Sequence, residues 1–303
     1  MAKQIKGLKK RPDPLALKLF RLVFKVGGII APAATGRFAY NVWLTPHRFS
    51  TPDSEKTAEQ SARTGHLQIN GKSVTTYEWG QPGSTVSAST ASGSTVSAPT
   101  ILLVHGWSGR GTQLAAFIPP LIERGFHVVS FDAPAHGKST GKQTTMYEIS
   151  GTIEAIQAKY GRFHSVITHS FGGPCLAVAM KHGVSAGRVV NICPPAHTRD
   201  IIDKFTGMLS INENIKQRLI AQMEENFGKD VWQDTSMPLN IRKLDIPALV
   251  IHDTDDIDVP IEEGQIIADA WQDARLISTS GLGHRRILRD AKVVDKTVEF
   301  ITS

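Results

Sequence analysis

The sequence predicts an α/β fold: a mostly parallel sheet covered by helices on both faces and interrupted once by a small helical insertion. Three observations carry this expectation. From residue 100 onward, short aliphatic or β-branched runs alternate with longer segments of helical apolar spacing. The runs themselves, such as TILLVH at 100–105 and ALVIH at 248–252, are almost continuously apolar, as strands buried on both faces must be. Between residues 194 and 240 the alternation stops, and helical patterns follow one another without a convincing strand.

With 303 residues, 41% of them apolar and 20% charged, the chain suffices for one large α/β domain or two small ones. Charge is distributed unevenly. Residues 1–48 hold ten Lys/Arg against the single acid Asp13, so a net of +9 sits there and the remaining 255 residues carry −3. The high pI therefore belongs to an N-terminal arm, and nucleic-acid binding by the main domain is not supported. Cys175 and Cys193 stand far apart in apolar segments with no C-x-x-C spacing, which reads as two reduced, buried, inert thiols and fits a cytoplasmic chain.

In the arm, Asp13-Pro14 is a helix start. Lys18, Arg21 and Lys25 recur at spacings of three and four among Leu15, Leu19, Leu22, Val23 and Val26, a basic amphipathic helix expected to stop near Gly27 and Gly28. A second apolar segment runs over 29–44. The longest charge-free run, 26–36, is shorter than the roughly 20 residues needed to span a bilayer. The charges at 18, 21 and 25 also make a poor signal peptide. Two expectations remain for residues 1–48: packing on the body of the protein, which is favoured, or peripheral contact with an anionic membrane surface.

Residues 65–79 predict two strands joined at Asn70-Gly71. The segment 81–99 is a flexible surface loop of small polar residues in which GSTVSA occurs at 83–88 and again at 93–98; it carries no chemistry. Strands follow at 100–105 and 127–132, then one ending at Ser165–His169 and one at 188–193, with helices at 113–124, 144–160 and 172–181 between them. The core thus spans 65–193 and 241–303. Residues 194–240 form the helical cap, with helices at 200–209 and 214–227, expected over the carboxyl edge of the sheet. The sheet resumes at 248–252 and 275–279, with helices at 261–271 and 290–301. Ligands of such sheets bind at the carboxyl ends of the strands, which makes each strand-end loop a candidate.

One of those ends reads SVITHSFGGP over 165–174: a β-branched run, Ser170 at a sharp turn, then Gly172 and Gly173 opening a helix. A serine so placed has its hydroxyl clear of the sheet and helix N-terminal N–H groups nearby. Thr168 stands where G-x-S-x-G has its first glycine. A hydroxyl nucleophile needs a base within hydrogen-bond reach and an acid to fix that base. The last strand end supplies His284 in Gly281-Leu282-Gly283-His284, and the one before it supplies Asp253, Asp255, Asp256 and Asp258.

At His105-Gly106-Trp107, the turn around Ser170, the Asp-x-x-Val-Pro turn and Gly-x-Gly-His, the chain resembles the α/β-hydrolase family, over roughly residues 65–302. The resemblance implies the α/β-hydrolase fold and a serine esterase or lipase-like activity on a small-molecule ester, with no metal or organic cofactor, and the apolar composition of 194–240 adds the expectation of an apolar acyl or alcohol group. The resemblance also implies Ser170 as nucleophile, His284 as general base, Asp256 as orienting acid, and the backbone N–H groups of Phe171 and Trp107 as oxyanion hole. Asp253, Asp255 and Asp258 stay open as competitors for the acid. Other chemistries on the same triad, including thioester hydrolysis, acyl transfer and perhydrolysis, remain alternatives, as does a non-catalytic membrane-associated module. His105, His169 and Asp132 are expected to be structural. The aspartates of 253–258 lack the glycine and glutamate of a calcium loop, and Gly106, Gly109 and Gly111 do not make a dinucleotide fingerprint. The sequence leaves a homodimer open. Thr168 should be accommodated beside the turn, so that Thr168→Gly is tolerated.

Overall fold

The computed structural model describes residues 15–81 and 98–303. The Asp13-Pro14 helix start and residues 82–97 of the small-residue loop lie outside the described residues. In chain order the elements are α1 (Leu15–Ile30), α2 (Pro32–Trp43), α3 (Asp53–Ser61), β1 (Arg63–Ile69), β2 (Lys72–Trp79), β3 (Thr100–Val104), α4 (Ile118–Ile122) and β4 (His127–Phe131). Next come α5 (Met146–Tyr160), β5 (Phe163–His169), α6 (Gly172–Lys181), β6 (Ala186–Ile192), α7 (Thr198–Met208), α8 (Glu213–Phe227), α9 (Val231–Asp234) and α10 (Met237–Ile241). The chain closes with β7 (Ala248–Asp253), α11 (Ile261–Ala270), β8 (Ala274–Thr279), α12 (Gly283–Arg286) and α13 (Ala291–Thr302). It divides into two compact units, one of residues up to Trp43 with Asp200–Lys229, the other of Leu44–Arg199 with Asp230–Ser303.

The larger unit contains an eight-stranded sheet in the order β1-β2-β4-β3-β5-β6-β7-β8. β1 and β2 form an antiparallel hairpin, and β2 is antiparallel to β4; every other pairing is parallel. Asn70 and Gly71 close the hairpin with φ of 49° and 74°, the left-handed pair that a two-residue turn between twisted strands requires. Because side chains alternate along a strand, each strand of the centre feeds two cores. Leu102, Val104, Val166 and Val250 join Ile149, Ile153, Ile156 and Leu176 of α5 and α6 on one face. Ile101, Leu103, Ile167, Leu249 and Ile251 join Phe117, Leu121, Val298 and Ile301 on the other.

Local signals explain several helix starts. Thr145 accepts from Glu148 N–H at the start of α5, Asn212 from Ile215 N–H at α8 and Asp290 from Val293 N–H at α13. The helix expected over 113–124 is shorter: a 3-10 turn at Ala115–Phe117 leads into α4, whose first turn takes Pro119 and Pro120 where their missing N–H groups cost no helical bond.

In the smaller unit, α2 packs on α8, and α1 on α2. Here the expected stop at Gly27 and Gly28 does not occur. α1 runs through both to Ile30. These glycines admit close neighbours instead, since a Cβ at Gly27 would lie 2.6 Å from Thr35 Oγ1 and one at Gly28 2.8 Å from Asn212 Nδ2. Pro32, which cannot extend a helix begun before it, marks the change to α2. Trp43 meets Phe205 edge to face at 5.2 Å, and Asn226 donates to Tyr40 Oη at 2.8 Å. Arg48, counted with the basic arm in sequence, belongs to the larger unit. Its guanidinium donates to the carbonyls of Ala135, Gly137, Ser139 and Gly141.

Candidate active site

The carboxyl ends of β5, β6, β7 and β8, adjacent in that order, carry Ser170, Cys193, Asp256 and His284. Ser170 sits between β5 and α6 with φ of 50°, a left-handed conformation unusual for a non-glycine residue. Its N–H donates to Ile192 O at 2.9 Å and its carbonyl accepts from Gly173 N–H at 2.9 Å, which fix the turn from both sides. Backbone crowds this turn. A Cβ on Gly172 would lie 2.7 Å from Val104 O, and one on Gly106 would lie 3.0 Å from Ser170 Cβ. Thr168 avoids the crowding by facing β6, where its hydroxyl donates to Asn191 Oδ1 at 2.6 Å in a fully buried position.

Three strand spacings separate β5 from β8, about 14 Å at ~4.8 Å each. The chain after β8 closes the distance. Gly281 and Gly283 turn it with φ of 79° and 62°, and α12 brings the His284 ring to 4.7 Å from that of His169, the residue before Ser170. His284 Nδ1 lies 2.7 Å from Asp256 Oδ2. The other Asp256 oxygen accepts from the N–H groups of Asp258 and Val259 at 2.8 and 2.9 Å. Burial acts to raise the Asp256 pKa, but the hydrogen bond and charge of His284, with the Val259 N–H, outweigh it and hold the carboxyl below its ordinary value. His252 donates from Nε2 to Val259 O at 2.9 Å and so stiffens the same turn.

The competing aspartates have other partners. Asp253 accepts from Asp255 N–H, the Thr279 hydroxyl and Leu282 N–H, tying the ends of β7 and β8 together. Asp255 accepts from Gly281 N–H at 2.7 Å. Asp132, Tyr77 and the loop after β4 form a separate knot: Asp132 accepts from the Tyr77 hydroxyl and from the N–H groups of Gly111 and Lys138.

Trp107 and Phe171 come from different strand ends yet meet edge to face at 5.4 Å. Neighbouring loop bonds use the N–H groups of Gly106, Ser108, Gly109 and Gly173. Two buried histidines support this loop. His105 donates from Nδ1 to Gly106 O and accepts Ala133 N–H at Nε2; His136 accepts Ser108 N–H at Nε2. Burial pushes His105 down to about 4 and His136 to about 3, so both are neutral at pH 7.

In sequence His169 and Cys193 read only as packing residues, and the structure gives both of them polar partners. His169 is placed with its Nε2 2.9 Å from His284 O and its Nδ1 3.2 Å from Gln113 Oε1, and burial lowers its pKa to about 3. Its position beside Ser170 was the only available signal. Cys193 is buried and free, as expected of a reduced, inert thiol, and it also has a polar partner. It hydrogen-bonds Asp256, and burial with that carboxylate drives its pKa well up. Cys193, Asp256 and His284 offer ligand atoms within 4.8 Å of one another. The carboxylate accepts from Asp258, Val259 and His284 and takes a fourth hydrogen bond from the Cys193 thiol, which is held protonated, so the group is a poor metal donor set.

Comparison with known proteins places this geometry in context. A bifunctional esterase/perhydrolase of Acinetobacter calcoaceticus is 22% identical over 258 residues, 68% of this chain and 92% of that protein. The crystal structure of an esterase from Rhodococcus sp. superposes with a TM-score of 0.57 at 16% identity, covering 80% of this chain and 99% of its own. An enol-lactonase from Burkholderia xenovorans gives 0.57 at 18% identity, covering 79% and 100%. The model of the alpha/beta hydrolase family matches residues 101–296, well over half the chain and every strand end described above from β3 to β8, and the chain belongs to that family.

Proposed function

We propose that the protein is a serine hydrolase that cleaves carboxylic esters of small molecules through an acyl-Ser170 intermediate. The observation that carries this is the 2.7 Å pair of His284 and Asp256, brought by α12 to the ring of His169 beside the strained Ser170 turn. Ser170 Oγ attacks the ester carbonyl and His284 Nε2 takes its proton. Asp256, acceptor-only while ionised, keeps the other proton on Nδ1 and stabilises the imidazolium. The oxyanion is received by the N–H groups of Trp107 and Phe171. Collapse of the tetrahedral intermediate expels the alcohol, which takes the proton from His284. Water then attacks the acyl-serine with His284 again as base, releasing the acid and restoring Ser170.

The name of the Acinetobacter relative supports one second reading, in which hydrogen peroxide replaces water in deacylation and the product is a peroxyacid. Both readings share acylation at Ser170. A hydrolysis profile over p-nitrophenyl esters of increasing acyl length, run with and without peroxide and against Ser170→Ala, tests them. Ser170-dependent alcohol release is expected; release that survives Ser170→Ala rules the mechanism out.

A further inference from the structure

The face of α1 opposite its packed side is apolar and exposed. Leu15, Leu19, Leu22, Val26 and Ile29 follow one another at spacings of three and four, flanked by Val23 and Ile30, and all seven are between 44% and 77% exposed. Phe24 and Gly28 are the residues that α1 buries. Beside the stripe, the exposed Phe20 stacks on Phe38 of α2 at 6.3 Å. A continuous apolar stripe of this size on a folded surface is an interaction site.

Charge identifies the occupant. Lys18, Arg21 and Lys25 line one flank of the stripe, Arg37 is exposed on α2, and no Asp or Glu occurs from residue 15 to residue 43. The preceding residues add Lys3, Lys6, Lys9, Lys10 and Arg11. A second copy laid on the stripe would bring like charges together. An anionic lipid surface accepts both features, with the acyl boundary taking the leucines and the headgroups taking the lysines. At 16 residues α1 is about 24 Å long, against ~30 Å of hydrocarbon. No helix among the described residues is long and apolar enough to cross a membrane. We infer that α1 is a docking helix that lies in the plane of an anionic membrane, its Leu15–Ile29 stripe in the lipid and its lysine flank on the headgroups. This stands apart from the hydrolase mechanism, because its test needs no turnover.

Full-length protein is sedimented with vesicles of equimolar phosphatidylcholine and phosphatidylglycerol and with pure phosphatidylcholine vesicles, and its mass in free solution is measured by light scattering. Leu22→Glu with Val26→Glu probes the stripe, and Lys18→Glu with Lys25→Glu probes the flank; matching circular-dichroism melts establish that both stay folded. Binding to the anionic vesicles is expected, falling roughly tenfold or more in the stripe variant and by a similar factor in the flank variant or on pure phosphatidylcholine. No sedimentation with anionic vesicles, or sedimentation unchanged in the stripe variant, overturns the proposal. So does a dimer in solution that the stripe variant converts to monomer without any vesicle binding.

Discussion

His169 Nε2 donates to the main-chain carbonyl of His284 at 2.9 Å, so the residue preceding Ser170 holds the backbone that carries the proposed base. Replacing it by Phe keeps a ring in the site and removes the donor. His169→Phe is expected to lower kcat/KM on a short ester roughly 10–100-fold, mainly through kcat, because His284 is displaced while substrate contacts persist. Steady-state kinetics on folded variant decide the matter; an unchanged kcat would mean that Asp256 alone positions His284.

Asp253 and Asp256 lie three residues apart and should separate cleanly by mutation. Asp256→Asn removes the acceptor of His284 Nδ1–H and should cost on the order of 10³-fold or more in kcat. Asp253→Asn breaks the knot of Thr279, Asp255 and Leu282 and should cost about 1–3 kcal/mol of stability, with turnover largely kept. Urea midpoints and kcat measured on both variants test this, and the opposite pattern would exchange their roles.

Stability should fall with acid well above the carboxylate range. Burial lowers the folded-state pKa of His105 to about 4 and of His136 and His169 to about 3, against an ordinary value of 6.5. The unfolded chain then binds more protons than the folded one between those limits. The contribution is complete above pH 6.5 and shrinks as pH falls toward 3, by about 1.4 kcal/mol per pH unit for each histidine once below 6.5. Asp256, whose carboxyl is depressed, adds a loss only at lower pH, below the ordinary 3.8. Urea unfolding at pH 7.5, 6.5 and 5.5 should show midpoints that drop steeply over the last step. A flat response would mean that these rings are not buried as neutral groups.

Thr168→Gly, which the sequence alone suggests is harmless, should not be. Thr168 faces Asn191 rather than the turn, and Asn191 Nδ2 already lacks a partner among the described residues. Removing the hydroxyl leaves a second buried amide atom unpaired, so Thr168→Val should cost about 1–3 kcal/mol and Thr168→Gly more, through the added backbone freedom of a strand glycine. Activity per folded molecule should remain near that of the parent. Calorimetric melting with active-site titration checks both parts, and full parental stability for Thr168→Gly would contradict the Asn191 bond.

The sheet was legible because its signals are local: apolar runs, the Asn70-Gly71 turn, and caps such as Thr145 and Asn212. Strand-end logic likewise drew attention to Ser170, His284 and the aspartates of 253–258 from three separate segments, and only the resemblance to the α/β-hydrolase family singled out Asp256 among them. What stayed hidden depends on direction in space. Nothing in the letters around Thr168 says that its side chain faces β6, or that His169 reaches across to His284. Gly27 and Gly28 misled for a related reason: glycine signals a helix stop when it must turn the chain, but here it makes room for Thr35 and Asn212. The exposed stripe on α1 needed the structure too, since only packing reveals which face of an amphipathic helix remains uncovered.

The central claim, that Ser170 is a nucleophile activated by His284 and Asp256, is tested most directly by covalent labelling with a fluorophosphonate followed by peptide mass spectrometry. One adduct is expected, on Ser170, absent in Ser170→Ala and formed far more slowly in His284→Ala and Asp256→Asn. Folded protein that takes no label at Ser170, or that labels equally fast without His284, would contradict it.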